Sequence, residues 1–570
     1  MVNFELLINA IKLENYMHML TDLTKNEKIA FFGKICADNN ILEDITRSVI
    51  GNRKDNEVSE KLRLKGNQYY QQQDFKNAIE LYNKSICYAK ANSKNLAQGY
   101  LNRSAILMQI KDYDKCLKDI EKAKFIKVEL PPKILEILIT REKKCLEIIN
   151  SSKTNKKHDF LFNFKLSYPP NPKVDCIIDG LEVRDTPNTG RGIFTKIPLH
   201  PGDLILIEDL FVGHLCDTKT QSYLRCHNCF KKKPYCLFPC TNCTLTMYCS
   251  EECMKEDENF HKIECSIIHI LVNFFQDEFT LPIKMLMKIL NEYNFNIKKC
   301  YRENIVKETN TFKQNSEDYL ENIIIKRNGC LGVSDLQQAD ITKAKYYKFF
   351  MAVVILGYVL IEETLKENIS NNKLFDKMIY ELLLKCVLQI KTNAFRFDKS
   401  IEILLNFGSR INHSCAPNCL LLYKDRKEYC FVIKNIKKDE QINITYGPEV
   451  FDTPTLQRRH SLLSGHDFIC NCESCVQHIN SLPACRNEQE KIDFMKIYSN
   501  FYTNNKTKNP KMTKELLFKC FQHLRKYSRK NNLNMYVFIT ENEVYNCLIS
   551  LSADESLPMI VERNVRKSFV

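Results

Sequence analysis

The sequence has no apolar run long enough to cross a lipid bilayer. Its longest strongly apolar stretch, residues 349–361, spans 13 residues, whereas a membrane-spanning helix needs about 20. The amino-terminal residues carry Glu5, Lys12 and Glu14 among apolar side chains, so we expect no secretory signal peptide. These absences predict a protein with no membrane role, in which residues 349–361 form a buried helix.

The chain also lacks any strong segregation of positive charge. Its 83 Lys and Arg residues against 69 Asp and Glu residues give a formal net charge of +14, but both signs occur throughout. Surfaces that bind nucleic acid concentrate basic residues on one face or element. We therefore do not predict nucleic acid as a partner, and we interpret Lys231-Lys232-Lys233 as a solvated loop.

Tryptophan is absent, although it commonly marks the first helix of a tetratricopeptide (TPR) repeat. The other positions of that pattern are occupied between residues 60 and 85. Leu62 stands at the tryptophan position, Gly66 and Tyr69 follow it, and Ala78-x3-Tyr82 opens a second helical face. The stretch therefore matches a TPR repeat, and an ordinary helical bundle is the alternative.

A second copy of this element supports the repeat. The motif D-F-x2-A at 74–78 recurs 38 residues later as D-Y-x2-C at 112–116, and we expect a third helical pair near 131–150. We predict TPR repeats over 59–150, preceded by a helical segment over 1–58. TPR arrays mostly bind peptides on a concave face.

Cysteine is abundant, with 26 residues. Without a secretory signal, such cysteines are more often metal ligands or buried thiols than disulfides. Residues 226–265 read C-x2-C, C-x2-C, C-x3-C and H-x3-C, which suits two tetrahedral zinc ions. A segment of 40 residues buries too little core to fold unaided, so metal would stabilise it. The alternative is a chance cluster of buried thiols.

The ligand order in this block resembles the MYND zinc finger, and Cys236 falls outside the spacing. A RING finger would place its histidine in the middle of the block, so RING is disfavoured. The resemblance implies cross-braced ligand sets, namely Cys226, Cys229, Cys249 and Cys253 on one ion and Cys240, Cys243, His261 and Cys265 on the other.

A second cysteine cluster, Cys470-x-Cys472-x2-Cys475, offers three thiols and lacks a local fourth ligand. The stretch GSRINHSCAPNC at 408–419 could supply Cys415. The same stretch could also provide a Cys–His nucleophile or a cofactor seat. His413 and Cys415 lie two residues apart, which makes a productive hydrogen bond between them awkward, so hydrolase chemistry is not favoured.

Short strand-like runs with frequent turn residues flank a largely helical region. They occur around 177–210 and again at 420–447, while 266–392 and the last hundred or so residues read as helical. The predicted fold class is therefore multidomain α+β: a helical TPR array, a split β core with a cysteine-rich insertion and a helical insertion, and a helical carboxy-terminal region.

Three fragments in order, NTGRGIF at 188–194, INHSCAPNC at 411–419 and ITYG at 444–447, followed by C-x-C-x2-C, resemble the SET-domain methyltransferases. With a MYND-like finger after the first fragment, the resemblance narrows to the SET-and-MYND (SMYD) family. The TPR repeats indicate a TPR-bearing member. The resemblance covers about 60 to 480 of the chain.

The resemblance implies a set of domain limits: a SET domain over 174–450, split by a MYND finger at 226–265, a zinc-binding post-SET segment at 466–476, and a helical region at 477–570. It implies an S-adenosylmethionine-dependent protein-lysine N-methyltransferase that also holds three zinc ions, the third bound by Cys415, Cys470, Cys472 and Cys475.

It also implies roles for individual residues. The cofactor-binding positions are Asn188, Thr189, Gly190, Gly192, Asn393, Asn412, His413 and Phe468, with Tyr446 beside the transferred methyl group as the catalytic residue. The acceptor amine must be neutral, although a lysine amine has a pKa near 10.4 in water. A sulfonium in a dry channel favours the neutral amine by repulsion and desolvation, and the tyrosine hydroxyl can orient it.

The same family resemblance predicts binding partners for this chain. We expect a protein lysine as substrate, a peptide or chaperone tail on the TPR helices, and a proline-containing peptide on the finger. Arg63, Asn67, Asn102 and Arg141 fall near the positions of a carboxylate clamp, but Ile137 stands where lysine would be needed. We predict cytoplasmic and nuclear localisation. The competing hypothesis is a non-catalytic adaptor with a vestigial SET core.

Overall fold

The structure is a computed structural model. It describes residues 25–39, 41, 54–126, 128, 131–151, 164–186, 190–306, 347–361, 373–397, 400–450, 453–466, 468–480, 485, 487–504, 510–528 and 534–552. The predicted cofactor residues Asn188 and Thr189 lie outside the described residues, as does most of the predicted helical segment 1–58. Within that segment, helix α1 (Lys25–Asp38) and the start of the next helix, from Asn56, are described.

Five helices follow in antiparallel succession: α2 (Asn56–Gln71), α3 (Phe75–Tyr88), α4 (Lys94–Gln109), α5 (Tyr113–Phe125) and α6 (Pro132–Ser151). The recurring D-F-x2-A motif has a local physical cause. Asp74 and Asp112 are N-cap residues, and their carboxylates accept hydrogen bonds from the backbone amides of Asn77 (3.1 Å) and Lys115 (3.3 Å). Each cap satisfies an amide that the helix itself leaves unpaired.

These helices share a hydrophobic core with the cysteine-rich block. Tyr100, Leu107 and Ile120 from the helices pack in one cluster with Tyr248 and Leu237 from the block. The block contains the two-residue strands β5 (Phe238–Pro239) and β6 (Met247–Tyr248) and leads into helix α8 (Glu251–Asn273). The helical array and the block therefore form one packed unit.

A buried arginine fixes this junction. Arg103 on α4 forms a two-pronged ion pair with Asp119 on α5, both contacts at 2.7 Å. Its remaining nitrogen donates to Asn83 Oδ1 at 2.8 Å and to the Leu237 carbonyl at 2.6 Å. The Asn83 amide in turn donates to the carbonyls of Tyr223 and Pro234.

The β part consists of small sheets separated by long insertions. Strands β1 (Leu181–Thr186) and β2 (Gly190–Thr195) form an antiparallel hairpin. Strand β3 (Leu204–Asp209) pairs with β11 (Lys427–Val432), which pairs with β10 (Cys419–Lys424). A third sheet has the order β4 (Val212–Leu215), β8 (Ile401–Leu404), β7 (Phe395–Phe397), and the short strands β9 (Asn412–His413) and β12 (Asn443–Ile444) pair in parallel. Strands that are far apart in the sequence are thus paired with one another in these small sheets.

The insertion between these strands is helical. After α7 (Thr218–Gln221) and α8 come α9 (Thr280–Glu292), α10 (Ile297–Tyr301) with a π-turn at Arg302–Val306, α11 (Tyr347–Leu360) and α12 (Lys373–Asn393). Residues 350–360 of the apolar run lie in the interior of α11 and are almost wholly buried. No helix among the described residues has the length and apolar character needed to span a membrane.

The carboxy-terminal region is helical in its described parts, with α13 (Thr455–His466), α14 (Glu473–Val476), α15 (Glu488–Asn504), α16 (Pro510–Tyr527) and α17 (Met535–Ser552). Leu517, Leu524 and Val537 from the last two helices pack on Leu204 and Phe431 of the central sheet. Helices α16 and α17 therefore pack against the sheet that contains β3 and β11.

Arg103→Met should destabilise the protein strongly, because it leaves the carboxylate of Asp119 buried without its partner. We expect a loss of about 3–5 kcal/mol, visible as a lower thermal unfolding midpoint at equal metal content. Lys124→Met is the control, since its pair with Glu142 is partly exposed and should contribute about 0–1 kcal/mol. Equal shifts in both variants would contradict this role of Arg103.

Candidate functional site

The two predicted motifs INHSC and ITYG lie side by side. In the parallel pair of β9 and β12, Asn412 is opposite Asn443 and His413 is opposite Ile444. The Ser414 amide donates to the Ile444 carbonyl at 2.8 Å. Beyond this pair, the Tyr446 amide donates to His413 Nδ1 at 3.0 Å, and the Tyr446 hydroxyl donates to the Ile411 carbonyl at 2.8 Å. The position of Tyr446 is thus determined by the motif that it pairs with.

The glycine motif approaches the same place from β2. The Asn412 side-chain amide donates to the Arg191 carbonyl at 2.9 Å. A Cβ atom on Gly192 would lie 3.0 Å from Asn412 Nδ2 and 2.0 Å from Gln441 Nε2, so a side chain there would clash. Gly190 has φ +64°, and a Cβ atom there would meet no atom within 4 Å among the residues that the structure describes. Backbone at Gly190 is therefore open to a ligand.

Aromatic rings surround Tyr446. Ring centroids lie at 5.0 Å for His466, 5.3 Å for His413, and 6.3 Å for both Phe395 and Phe468. Phe468 also lies 6.1 Å from His413. Burial raises the pKa of Tyr446 well above its ordinary value, so this residue is a neutral phenol at physiological pH. The ring set forms a largely apolar environment of the kind that favours an uncharged amine.

Asn393, at the end of α12, lies at the edge of this region. It is buried, its side chain donates to the Gln389 carbonyl and to Thr392 Oγ1, both at 2.7 Å, and its carbonyl accepts from Ser409 Oγ at 3.0 Å. The chain then passes directly into Phe395 of the ring set. All described residues that were predicted to bind the cofactor therefore belong to one neighbourhood.

His413 contacts Cys415, although their two-residue spacing was expected to make a hydrogen bond between them awkward. Its Nε2 atom lies 3.3 Å from Cys415 Sγ, so the two-residue spacing does not prevent that contact, and that premise was wrong. Because Nδ1 accepts from the Tyr446 amide, Nε2 carries the proton and donates to the sulfur. An imidazole in this tautomer cannot take the thiol proton through Nε2, so the Cys–His nucleophile remains disfavoured for a different reason.

Three groups of four ligands each bring their donor atoms within 4.8 Å of one another: Cys226, Cys229, Cys249 and Cys253; Cys240, Cys243, His261 and Cys265; Cys415, Cys470, Cys472 and Cys475. Sulfur–sulfur distances include 3.6 Å for Cys229–Cys249, 3.8 Å for Cys240–Cys265 and 3.6 Å for Cys415–Cys475. Tetrahedral zinc with bonds of about 2.3 Å separates its sulfurs by about 3.8 Å. Each group could hold a metal ion of this kind.

The histidine in the second group has an orienting carboxylate. His261 points Nε2 toward Cys243 Sγ at 3.5 Å, and its Nδ1 lies 3.1 Å from Glu264 Oε2. Glu264 is buried and also contacts His227 at 2.7 Å and Lys284 of α9 at 3.3 Å. A carboxylate that fixes ring orientation is a common feature behind metal-binding histidines. Glu264 was not among the residues predicted from the sequence, although its spacing of three from His261 on a helix could have suggested it.

A second missed carboxylate supports the loop before Asn412. Glu208 on β3 is buried and accepts three backbone amide hydrogen bonds, from Asn406 (2.9 Å), Phe407 (2.7 Å) and Gly408 (2.8 Å). Burial raises the pKa of Glu208, while these amides act in the opposite direction. The bonds tie the turn at 406–408 to β3, and the motif INHSC begins three residues later.

The four candidate clamp positions on the helical array are engaged with the protein itself. Asn67 Oδ1 accepts from Tyr82 Oη and from Asn102 Nδ2 at 2.7 Å. Arg141 donates to the Leu101 carbonyl and to Ser104 Oγ, and Arg63 pairs with Glu60 at 3.6 Å. A carboxylate would have to displace several of these contacts.

Comparison with known proteins assigns the region of the site to one domain family. The SET domain family model matches residues 190–447. Protein-lysine N-methyltransferase SMYD4 of Pongo abelii is 22% identical over 74% of this chain and 67% of its own length. Histone-lysine N-methyltransferase ASHR1 of Arabidopsis thaliana is 24% identical over 52% of this chain and 55% of its own length. Human N-lysine methyltransferase SMYD2 is 27% identical over 52% of this chain and 61% of its own length. The chain spans about half to two thirds of these relatives' lengths. The fold is a SET fold with helical regions on both sides.

Glu208→Gln should loosen the turn before the INHSC motif, because the side-chain NH2 group must face at least one backbone amide that now donates to oxygen. We expect a cost of about 1–3 kcal/mol and faster amide hydrogen exchange at 406–411. Asp209→Asn is the matched control, because Asp209 is exposed on the same strand. Unchanged exchange at 406–411 in the Glu208 variant would rule out this role.

Proposed function

We propose that the chain is a member of the SET-and-MYND (SMYD) family and an S-adenosylmethionine-dependent N-methyltransferase of protein lysine side chains. The observation that carries the proposal is the convergence around Tyr446. Gly192 and Asn412 adjoin each other, and the rings of His413 and Phe468 lie beside Tyr446.

The residues present suit the cofactor. The open backbone at Gly190, the amide of Asn412 and the ring of Phe468 would hold S-adenosylmethionine, as the family resemblance suggests for these positions, and Asn393 would support them from α12. When bound, the cofactor supplies an electrophilic methyl group on a sulfonium. The contribution of the chain is orientation of the amine in a pocket that excludes water, which can supply much of the rate enhancement.

Tyr446 has a defined role in this scheme. Its hydroxyl proton is committed to the Ile411 carbonyl, so the phenolic oxygen presents its lone pairs as hydrogen-bond acceptors. An amine N–H can donate to that oxygen, which would leave the nitrogen lone pair free to point at the methyl carbon. The phenol acts by orientation and remains protonated throughout.

We propose that zinc occupies the three four-ligand groups, with the cross-braced pairing in a MYND finger over 226–265 and the third ion in a post-SET segment over 466–476. We also propose that α2–α6 form TPR repeats over 59–150, that the SET domain extends over 174–450, and that 477–570 form a helical carboxy-terminal region. Sulfur spacing and the recurring Asp caps support these assignments.

Partners beyond the substrate lysine remain predictions. A proline-containing peptide on the finger and a peptide tail on the helical array are consistent with the types of module, although the internal bonds of Asn67 and Arg141 do not favour a tail clamp. Cytoplasmic and nuclear localisation also stays a prediction. The adaptor hypothesis is not favoured, because the family relatives are methyltransferases and the described cofactor positions converge.

Asn412→Ala should weaken cofactor binding, because it removes the amide that joins β9 to the glycine strand. We expect affinity for S-adenosylmethionine to fall about 10- to 100-fold by calorimetry, with a matching loss of radiolabelled methyl transfer into cell extract. Asn39→Ala, at the exposed end of α1, is the control. If the wild-type protein binds the cofactor but labels no protein under varied conditions, the result would support the adaptor hypothesis instead.

Cys415→Ser should reduce bound zinc from three equivalents to two, because it removes one thiolate from the third group. The measurement is elemental analysis of purified protein, accompanied by proteolysis of the segment after 466. Asn412→Ala should retain its zinc, and Cys485→Ser, outside the three groups, should do so as well. Full zinc content in Cys415→Ser would refute the assignment of this cysteine as a ligand.

A further inference from the structure

Three side chains in the ring set around Tyr446 could exchange a proton with a bound amine: Tyr446, His413 and His466. Tyr446 is a half-buried phenol whose hydroxyl donates to the Ile411 carbonyl. His413 accepts a backbone amide at Nδ1 and directs Nε2 at Cys415. Both residues are therefore committed to internal hydrogen bonds.

His466 is the last residue of α13 and is half-buried. Its ring is inclined by 45° to that of Tyr446 at 5.0 Å and lies 6.4 Å from Phe468. Its Nδ1 atom is buried and makes no hydrogen bond with any part of the chain that the structure describes. A buried ring nitrogen without a partner is costly, so this atom is available to hydrogen-bond a ligand or a water molecule in the site.

We propose that the His466 imidazole is the general base that takes the proton from the acceptor lysine before methyl transfer. The inference rests on the proposed function and deepens it, because it assigns a catalytic residue to the same site. Since lysine in water is almost wholly protonated near neutral pH, some group has to accept that proton, and general bases typically contribute about 100- to 10,000-fold.

The proton and electron pairs balance. The neutral imidazole takes one proton from the ammonium group, which leaves a neutral amine and an imidazolium. The amine lone pair then forms the nitrogen–carbon bond as the carbon–sulfur bond of the sulfonium breaks, and the electron pair of that bond remains on sulfur. The imidazolium finally releases its proton to solvent, so each turnover releases one proton in addition to the methylated ammonium product.

The surroundings keep the imidazole neutral when the site is empty. Burial lowers the pKa of His466, Lys391 at the end of α12 lowers it further, and the Tyr446 carbonyl acts in the opposite direction. Tyr446 faces it from the loop after β12 with the rings 5.0 Å apart, and His413 of β9 lies close enough to interact with it electrostatically. Because the neutral form predominates above the pKa, His466 is ready to accept a proton throughout the neutral range.

The test is a pH profile of radiolabelled methyl transfer to a synthetic peptide that carries the lysine methylated by wild-type protein. Between about pH 6 and pH 10, wild type should stay active down to the neutral range. His466→Phe retains a ring for packing and should lose about 100-fold at pH 7, with activity returning as the pH approaches that of lysine deprotonation. Imidazole added to His466→Ala should restore part of the loss at pH 7.

Two measurements separate this role from a structural one. Affinity for S-adenosylmethionine should be unchanged in His466→Phe, and His460→Phe, exposed on the same helix, should keep the wild-type profile. A His466→Phe profile with the shape of wild type, or loss that is equal at every pH, overturns the proposal while the methyltransferase assignment stands. Wild type that methylates nothing overturns the assignment itself, and the proposal with it.

Discussion

The pairing of β9 with β12 is the constraint on which the site depends. Two residues of each strand meet, Asn412 with Asn443 and His413 with Ile444, and the surrounding bonds extend the contact on both sides. Ser414 is tied to Ile444, and Val450 donates to the Cys415 carbonyl at 3.0 Å. Because backbone hydrogen bonds fix both register and direction, side chains from segments about thirty residues apart acquire one relative position.

Because of this pairing, residues 412–415 contribute both to the candidate cofactor site and to the four-cysteine group. Asn412 faces the glycine strand, and Cys415, wholly buried, belongs to the four-cysteine group. His413 lies between them and connects both, since one ring nitrogen accepts the Tyr446 amide and the other meets the Cys415 sulfur. A zinc-bound thiolate would be a good acceptor for that N–H, so a metal ion in this group would help to hold the imidazole, which in turn accepts the Tyr446 amide.

Much of this arrangement could be predicted from the sequence, because its signals are local in spacing. The ligand pairs, the paired Asp caps and the INHSC and ITYG motifs all lie in short stretches. Glu208 could not be found this way, because its partners at 406–408 lie about 200 residues away and bond through backbone amides that leave no sequence signature. His466 could not be predicted as a site residue for a similar reason. Only tertiary packing brings the end of α13 beside Tyr446.

The helical array and the cysteine-rich block depend on each other energetically. The block is too small to bury a core of its own, yet Tyr248 and Leu237 are almost fully buried because the array covers them. Conversely, Arg103 is satisfied only if the Leu237 carbonyl is presented to it. If the block binds metal as proposed, the free energy of that binding would be folding free energy and would also stabilise α4 and α5 through this junction. On the face that meets the array, the block is therefore structural, and any peptide it binds has to approach from elsewhere.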